Sequence, residues 1–68
     1  MSPDKMVRMA NQIATFFKTQ PNVDAPEKVG DHIRDFWEPR MRQQLAEHVA
    51  QGGDGLDSVV IRAVKLIA

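Results

Sequence analysis

Apolar residues recur at helical spacing in three stretches of this chain and crowd together in a fourth. In the first stretch, Met6, Val7, Met9, Ala10, Ile13, Ala14, Phe16 and Phe17 fall within roughly one half of a wheel turning about 100° per residue. Asp4, Lys5, Arg8, Asn11, Gln12, Thr15 and Lys18 take the other half. Ser2-Pro3-Asp4 opens the helix: a hydroxyl that can accept from an orphan backbone N–H, a proline with φ already set, and a first-turn carboxylate. The end is expected near Lys18 to Gln20, because the residue before Pro21 is pushed out of the helical region.

After a polar link over Pro21 to Asp24, Asp24-Ala25-Pro26-Glu27 has the spacing of a capping box. Val29, Ile33, Phe36 and Trp37 then lie within an arc of roughly 100°, a narrow seam that would pack against the first helix. Gly30 costs on the order of 1 kcal/mol relative to alanine, so this second helix depends on its partners more than on propensity. Pro39 lacks an N–H and clashes with the carbonyl four residues back, so it must kink the helix or end it near Trp37; a break is favoured, since proline is equally suited to open a third helix as first residue. That third helix runs to about Gln51, with Met41, Leu45 and Val49 inward and His48 at the edge of the stripe. Gly52-Gly53-Asp54-Gly55 ends it, since glycine supplies the left-handed backbone of a helix stop.

Asp57 caps the last segment, with Leu56 and Ile61 placed as a hydrophobic staple. Val59, Val60, Ile61, Ala63, Val64, Leu66 and Ile67 spread over roughly 220° of the wheel and leave Ser58, Arg62 and Lys65 as a polar strip. Its valines and isoleucines also suit a strand; cap and length favour helix. The fold class is therefore all-α, a single domain over 1–68 built as a small bundle of three to four short helices with a break at Pro39.

A chain of 68 residues buries only about 60% of the surface its unfolded form exposes, so its core is small. Half-apolar and nearly all-round apolar helices then add up to more greasy surface than such a bundle covers, most of it expected on the last helix. Either self-association or docking on another protein follows. Met6, Met9 and Met41, flexible and polarizable, would suit either kind of interface, though filling the core is their default role. Cysteine is absent, which excludes disulfides and thiolate metal sites. No signal-peptide pattern opens the sequence, and no apolar run approaches the roughly 18 residues of a membrane span, so a cytoplasmic location away from the membrane is expected. Nine basic residues balance nine acidic ones. That removes the electrostatic footprint of a nucleic-acid binder and weakens a helix-turn-helix reading of the Pro39 break.

Chemistry finds little support. His32 and His48 fall on different helices with no second ligand at helical spacing, whereas zinc takes three or four protein ligands. Asp54-Gly55-Leu56-Asp57 lacks the remaining oxygen donors of a calcium loop. Ser2 and Ser58 are explained by helix starts, and no strand precedes the glycine cluster to make it a phosphate cradle. Arg34, Arg40 and Arg42 can be a solvated face balanced by Asp31, Asp35 and Glu38, or donors aimed at a partner's carboxylate or carbonyl groups. Trp37 can serve core or interface. The expected partner-facing set is Phe16, Arg34, Trp37, Arg40, Met41, Arg42 and Ile61.

Two blocks, M-V-R-M-A-N-Q-I-A with Phe16-Phe17, and D-H-I-R with F-W-E-P-R-M-R, together with the Gly52-Gly53 turn and Leu56-Asp57, span nearly the whole chain. In them the sequence resembles the delta subunit of cytoplasmic NAD-dependent formate dehydrogenases that contain molybdenum or tungsten. The resemblance implies a non-catalytic accessory chain that binds the large catalytic (alpha) subunit and supports its assembly or stability. The alternative is a transient maturation factor that helps insert the pterin cofactor. The pterin cofactor, iron–sulfur clusters, FMN and NAD would then belong to the larger subunits, and this chain would bind no cofactor itself.

Overall fold

The computed structural model describes residues 2–68. Its elements are α1 (Pro3–Lys18), α2 (Ala25–Phe36), α3 (Pro39–Ala50) and α4 (Ser58–Ile67), with no strand among the described residues. The competition between helix and strand for the last segment is thus settled as helix.

Helix boundaries follow local chemistry. Ser2 Oγ accepts from Lys5 N at 3.3 Å with Pro3 as first residue, and Asp24 Oδ1 accepts from Glu27 N at 3.2 Å. At the centre, Trp37 donates its N–H to Ile33 O and then turns extended at ψ 136°, so α3 starts at Pro39 after a two-residue gap. The end of α3 is a Schellman stop: Gly53 N bonds His48 O at 2.9 Å and Gly52 N bonds Val49 O at 3.0 Å, with both glycines at positive φ.

The tightest packing is between α2 and α4, and α1 and α3 flank that pair. Met6, Ala10 and Ala14 on α1 meet Val29, Ile33 and Trp37 around α2, with Leu45 from α3 and Val60, Ala63 and Val64 from α4. Gly30 sits in the middle of the α2–α4 contact. A Cβ added there would lie 3.1 Å from Ile67 Cγ2 and 3.3 Å from Ala63 O, so the glycine is what lets the two backbones approach. Its propensity penalty is offset by that approach.

Two expectations change. Phe36, placed by its periodicity in the inward seam, is 76% exposed. The reason is Gly30: it is about 100° from Val29, so when α4 packs over it the buried face is Val29, Gly30, Ile33 and Trp37, and Phe36 is left at the trailing edge. Second, α4 does not carry the surplus of apolar surface. It touches α1, α2 and α3, which uses its widely apolar character, and Leu66 is its one large apolar side chain that is mainly exposed.

One polar corner fixes how α4 enters. Asn11, mid-way along α1, accepts from Asp57 N at 2.8 Å and donates to Gly55 O at 2.9 Å. Asp57 caps α4 by accepting from Val59 N at 2.8 Å, and its other oxygen receives Lys18 Nζ at 2.8 Å. His48 Nε2–H donates to Asp54 O at 2.8 Å, tying the glycine turn to α3. Leu56 and Ile61, the expected staple pair, both lie over Gly53: a Cβ there would be 3.0 Å from Ile61 Cδ1 and 3.8 Å from Leu56 Cδ1.

Gly30→Ala sets a propensity gain of about 1 kcal/mol against an overpacking cost of about 1–3 kcal/mol at a backbone carbonyl that cannot step aside. A net loss is expected, about 1 kcal/mol, read as a Tm lower by some 4–8 °C. A Tm equal to or above that of the parent chain would contradict the close-approach account. At Asp57, the Lys18 ammonium first and the Val59 N–H next hold the carboxyl below its usual range. A depressed folded-state pKa gives stability that is complete above the unfolded value and lost as pH falls through the folded one. Asp57→Ala is therefore expected to cost about 1–2 kcal/mol near neutral pH. Urea titrations should show that difference shrinking as pH drops below the ordinary value of 3.8.

Candidate functional site

The surplus apolar surface collects where α1 and α2 end side by side. Phe16 and Phe17 close α1, and their rings meet edge-on with centroids 5.1 Å apart. Phe17 lies 6.5 Å from the His32 ring on α2, and His32 lies 4.9 Å from Phe36. Four rings thus form a strip across two helices, with Phe16 58% and Phe36 76% exposed at its two ends. Beneath it runs a groove of 410 Å³ walled by Met9, Ile13, Phe17, His32 and Trp37. Trp37 is 7% exposed, part of the core and a wall of the groove at once.

The strip follows from local sequence once the helix orientations are set. The α2–α4 contact takes Ile33 and Trp37 inward, which turns their neighbours His32 and Phe36 toward α1. Thr19 and Gln20 close α1 through bonds to Phe16 O and Phe17 O, so both phenylalanines stand in a terminated last turn. Leu66 on α4 and Val23 in the α1–α2 link are also exposed.

The partner-facing candidates separate in space. Phe16 stands at the end of the strip and Trp37 beneath it. Met41 is partly buried against the core, and Ile61 lies over Gly53 as part of the staple. Arg34 bridges two carboxylates on its own helix, Nη2 to Asp31 Oδ1 and Nε to Asp35 Oδ1, both at 3.2 Å. Asp35 first and Asp31 next hold its guanidinium above the usual arginine range. Arg40 is exposed, and Arg42 is half-buried on α3 with its Nε out of reach of solvent.

Nothing in the donor set fits a metal or a cluster. The chain has no cysteine, and no three His, Asp or Glu residues gather closely enough to hold an ion among the described residues. No polar or charged residue is buried among the described residues, so no carboxylate or imidazole sits in the dry surroundings that tune an acid or base. His48 serves the turn. His32 is a ring in the strip.

Two features went unseen in the sequence. Phe36 was assigned to the core, although an aromatic beside a helical histidine near a proline break was the available signal. Asn11 was read as one more polar-face residue, and its clamp on Gly55 and Asp57 joins positions 44 and 46 residues apart.

The most distinctive surface of this four-helix domain is an uncovered aromatic strip beside an open, mostly apolar groove. Over residues 5–64 the chain matches the family model described as NADH-dependant formate dehydrogenase delta subunit FdsD, and it belongs to that family. Membership in a subunit family implies a complex with other subunits. No curated protein matches the chain. No described helix is long and apolar enough to cross a membrane.

Because Phe36 is mostly in water, Phe36→Ser should change stability by no more than about 0.5 kcal/mol. Trp37→Ala, one residue on, should cost about 3–5 kcal/mol. That approaches the whole stability of a domain this small. Urea denaturation followed by circular dichroism distinguishes the two; equal losses would mean that both rings belong to the core.

Proposed function

We propose that this chain is a non-catalytic structural subunit of a cytoplasmic NAD-dependent formate dehydrogenase, docking through the Phe16–Phe36 strip onto the large catalytic (alpha) subunit and supporting its assembly or stability. The uncovered strip carries the reading. Two phenylalanines more than half exposed in a chain assigned to a subunit family are best understood as surface awaiting a protein partner. Aromatic side chains bury roughly 150–250 Å² each, and such residues dominate binding energy at interfaces. The groove beneath offers a seat for one or two apolar side chains of the partner. Trp37 and Met41 support the surface from below, while Arg34, Arg40 and Arg42 supply polar contacts at or beyond its rim. Ile61 would contribute indirectly, by holding the turn that positions α4.

In this reading the chain binds no cofactor. The molybdenum or tungsten pterin, iron–sulfur clusters, FMN and NAD reside in the larger subunits, where formate oxidation takes place. The chain's own residues exclude water from an intersubunit contact and fix the relative placement of two polypeptides.

Co-expression with tagged catalytic subunit tests this. Wild-type chain should co-elute through size exclusion, and a Phe16→Asp/Phe36→Asp double variant should be lost from the complex while keeping its helical circular dichroism. Each single change should weaken capture by about tenfold or more. A chain that dissociates while activity persists would count against a stoichiometric subunit. Enzyme made without the chain that stays assembled yet lacks molybdenum would make it a maturation factor.

A further inference from the structure

Five of the six aspartates are fixed by the helices. Asp31 and Asp35 lie inside α2, where the N–H of the next residue is committed to the helical ladder, and both pair with Arg34. Asp4 precedes Lys5, whose N–H goes to Ser2 Oγ. Asp24 and Asp57 use their carboxylates as caps.

Asp54 differs on each count. It stands exposed in the turn between α3 and α4, and its carboxylate has no ion pair or hydrogen bond among the described residues. The next residue, Gly55, is exposed at φ +80°, and its N–H donates to nothing among the described residues; the bonds of the turn run from Gly52, Gly53 and Leu56. Glycine also places no side chain beside that nitrogen.

An unbound carboxyl next to an unbound, uncrowded amide nitrogen can close on it. Gly55 N bonds to Asp54 Cγ, and the amide proton leaves with a carboxyl hydroxyl as water. Water then opens the five-membered succinimide. Attack at Cγ restores aspartate, whereas attack at the former backbone carbonyl gives isoaspartate, with the chain running through Cγ and a free carboxylate where the carbonyl was. No oxidant, metal or second protein is required.

We propose that Asp54-Gly55 is a site of spontaneous isoaspartate formation, and that the rearrangement releases α4 from its anchors. Asp54 O, which accepts from His48 Nε2–H at 2.8 Å, is the carbonyl that becomes a carboxylate. Gly55 O, which accepts from Asn11 at 2.9 Å, is displaced by the added methylene, and Asp57 N, held by the same asparagine, lies two residues on. The proposal concerns the chain by itself and is independent of the docking reading.

The full-length chain, incubated at neutral pH below its melting temperature, tests this. Isoaspartate is read by methyl transfer from labelled S-adenosylmethionine with a protein isoaspartyl methyltransferase, and peptide mapping assigns the position. Methyl acceptance should grow with time and map to position 54. Asp54→Asn, which loses ammonia in place of water, should accept sooner, and Asp54→Glu, which would have to close a six-membered ring, should lose the signal. The modified fraction, separated by chromatography, should melt lower by roughly 4–8 °C. Acceptance that maps elsewhere or persists in Asp54→Glu overturns the site. Wild type that accepts no methyl by the time Asp54→Asn has reacted, or alongside an equally inert Asp54→Asn, overturns it too. A modified fraction that melts with the parent chain overturns the release of α4.

Discussion

The contact between α2 and α4 over Gly30 governs the rest of the molecule. With a hydrogen in place of a side chain, α2 lies against the backbone of α4 at Ala63, and Ile67 folds over the same spot. Close approach brings Val29, Ile33, Val60, Ala63 and Val64 into full or nearly full burial, half of the buried apolar set. Dispersion contacts depend steeply on separation, so a small core gains more from two helices in near-backbone contact than from larger side chains at a greater distance. The same contact sets the rotation of α2. Once Gly30 faces α4, Trp37 points inward and Phe36 cannot.

The exposed aromatic surface follows from that rotation. The aromatic strip exists because α2 shows His32 and Phe36 to the side where α1 ends in Phe16 and Phe17. Had α2 buried the arc suggested by its large apolar residues, Phe36 would complete the core and the outer face would be bland. One glycine thus links the packing of the core to the presence of an exposed aromatic strip. The polar corner has the complementary part, since Asn11, Asp57 and Lys18 fix the end of α4 against α1 and hold the two contact partners in register.

Much of the fold was legible in the sequence because its boundaries are set by chemistry within a few residues. Ser2, Asp24 and Asp57 each cap the helix they precede, Pro39 opens α3, and the glycine run stops it, all by bonds reaching no more than five residues. What escaped depends on which helix meets which. A wheel treats glycine as neutral, so the true face of α2 was centred wrongly and Phe36 went to the core. The same blindness placed surplus apolar surface on α4, because all-round apolar character describes a helix at the centre of a bundle as well as one awaiting a partner. Of the candidate site, Phe16 was legible as a large apolar residue at a helix end. The separate circumstances of Arg34, Arg40 and Arg42 were not, since near neighbours in sequence are separated only by the three-dimensional placement of Asp31 and Asp35.

Folding and docking in such a chain are coupled by mass action. Ten buried apolar residues among the described ones are a slender core. A partner that covered Phe16 and Phe36 would recognise only the folded arrangement, because the strip spans two helices. Binding to the folded form alone stabilises it by an amount set by partner concentration relative to Kd, about 2.7 kcal/mol at a hundredfold excess. An increment of that size is a large share of the stability expected of so small a domain. The isolated chain can therefore be modest in stability and the complexed chain robust without any change in its own contacts. In the proposed complex the exposed phenylalanines, which leave the free chain prone to association, would be covered.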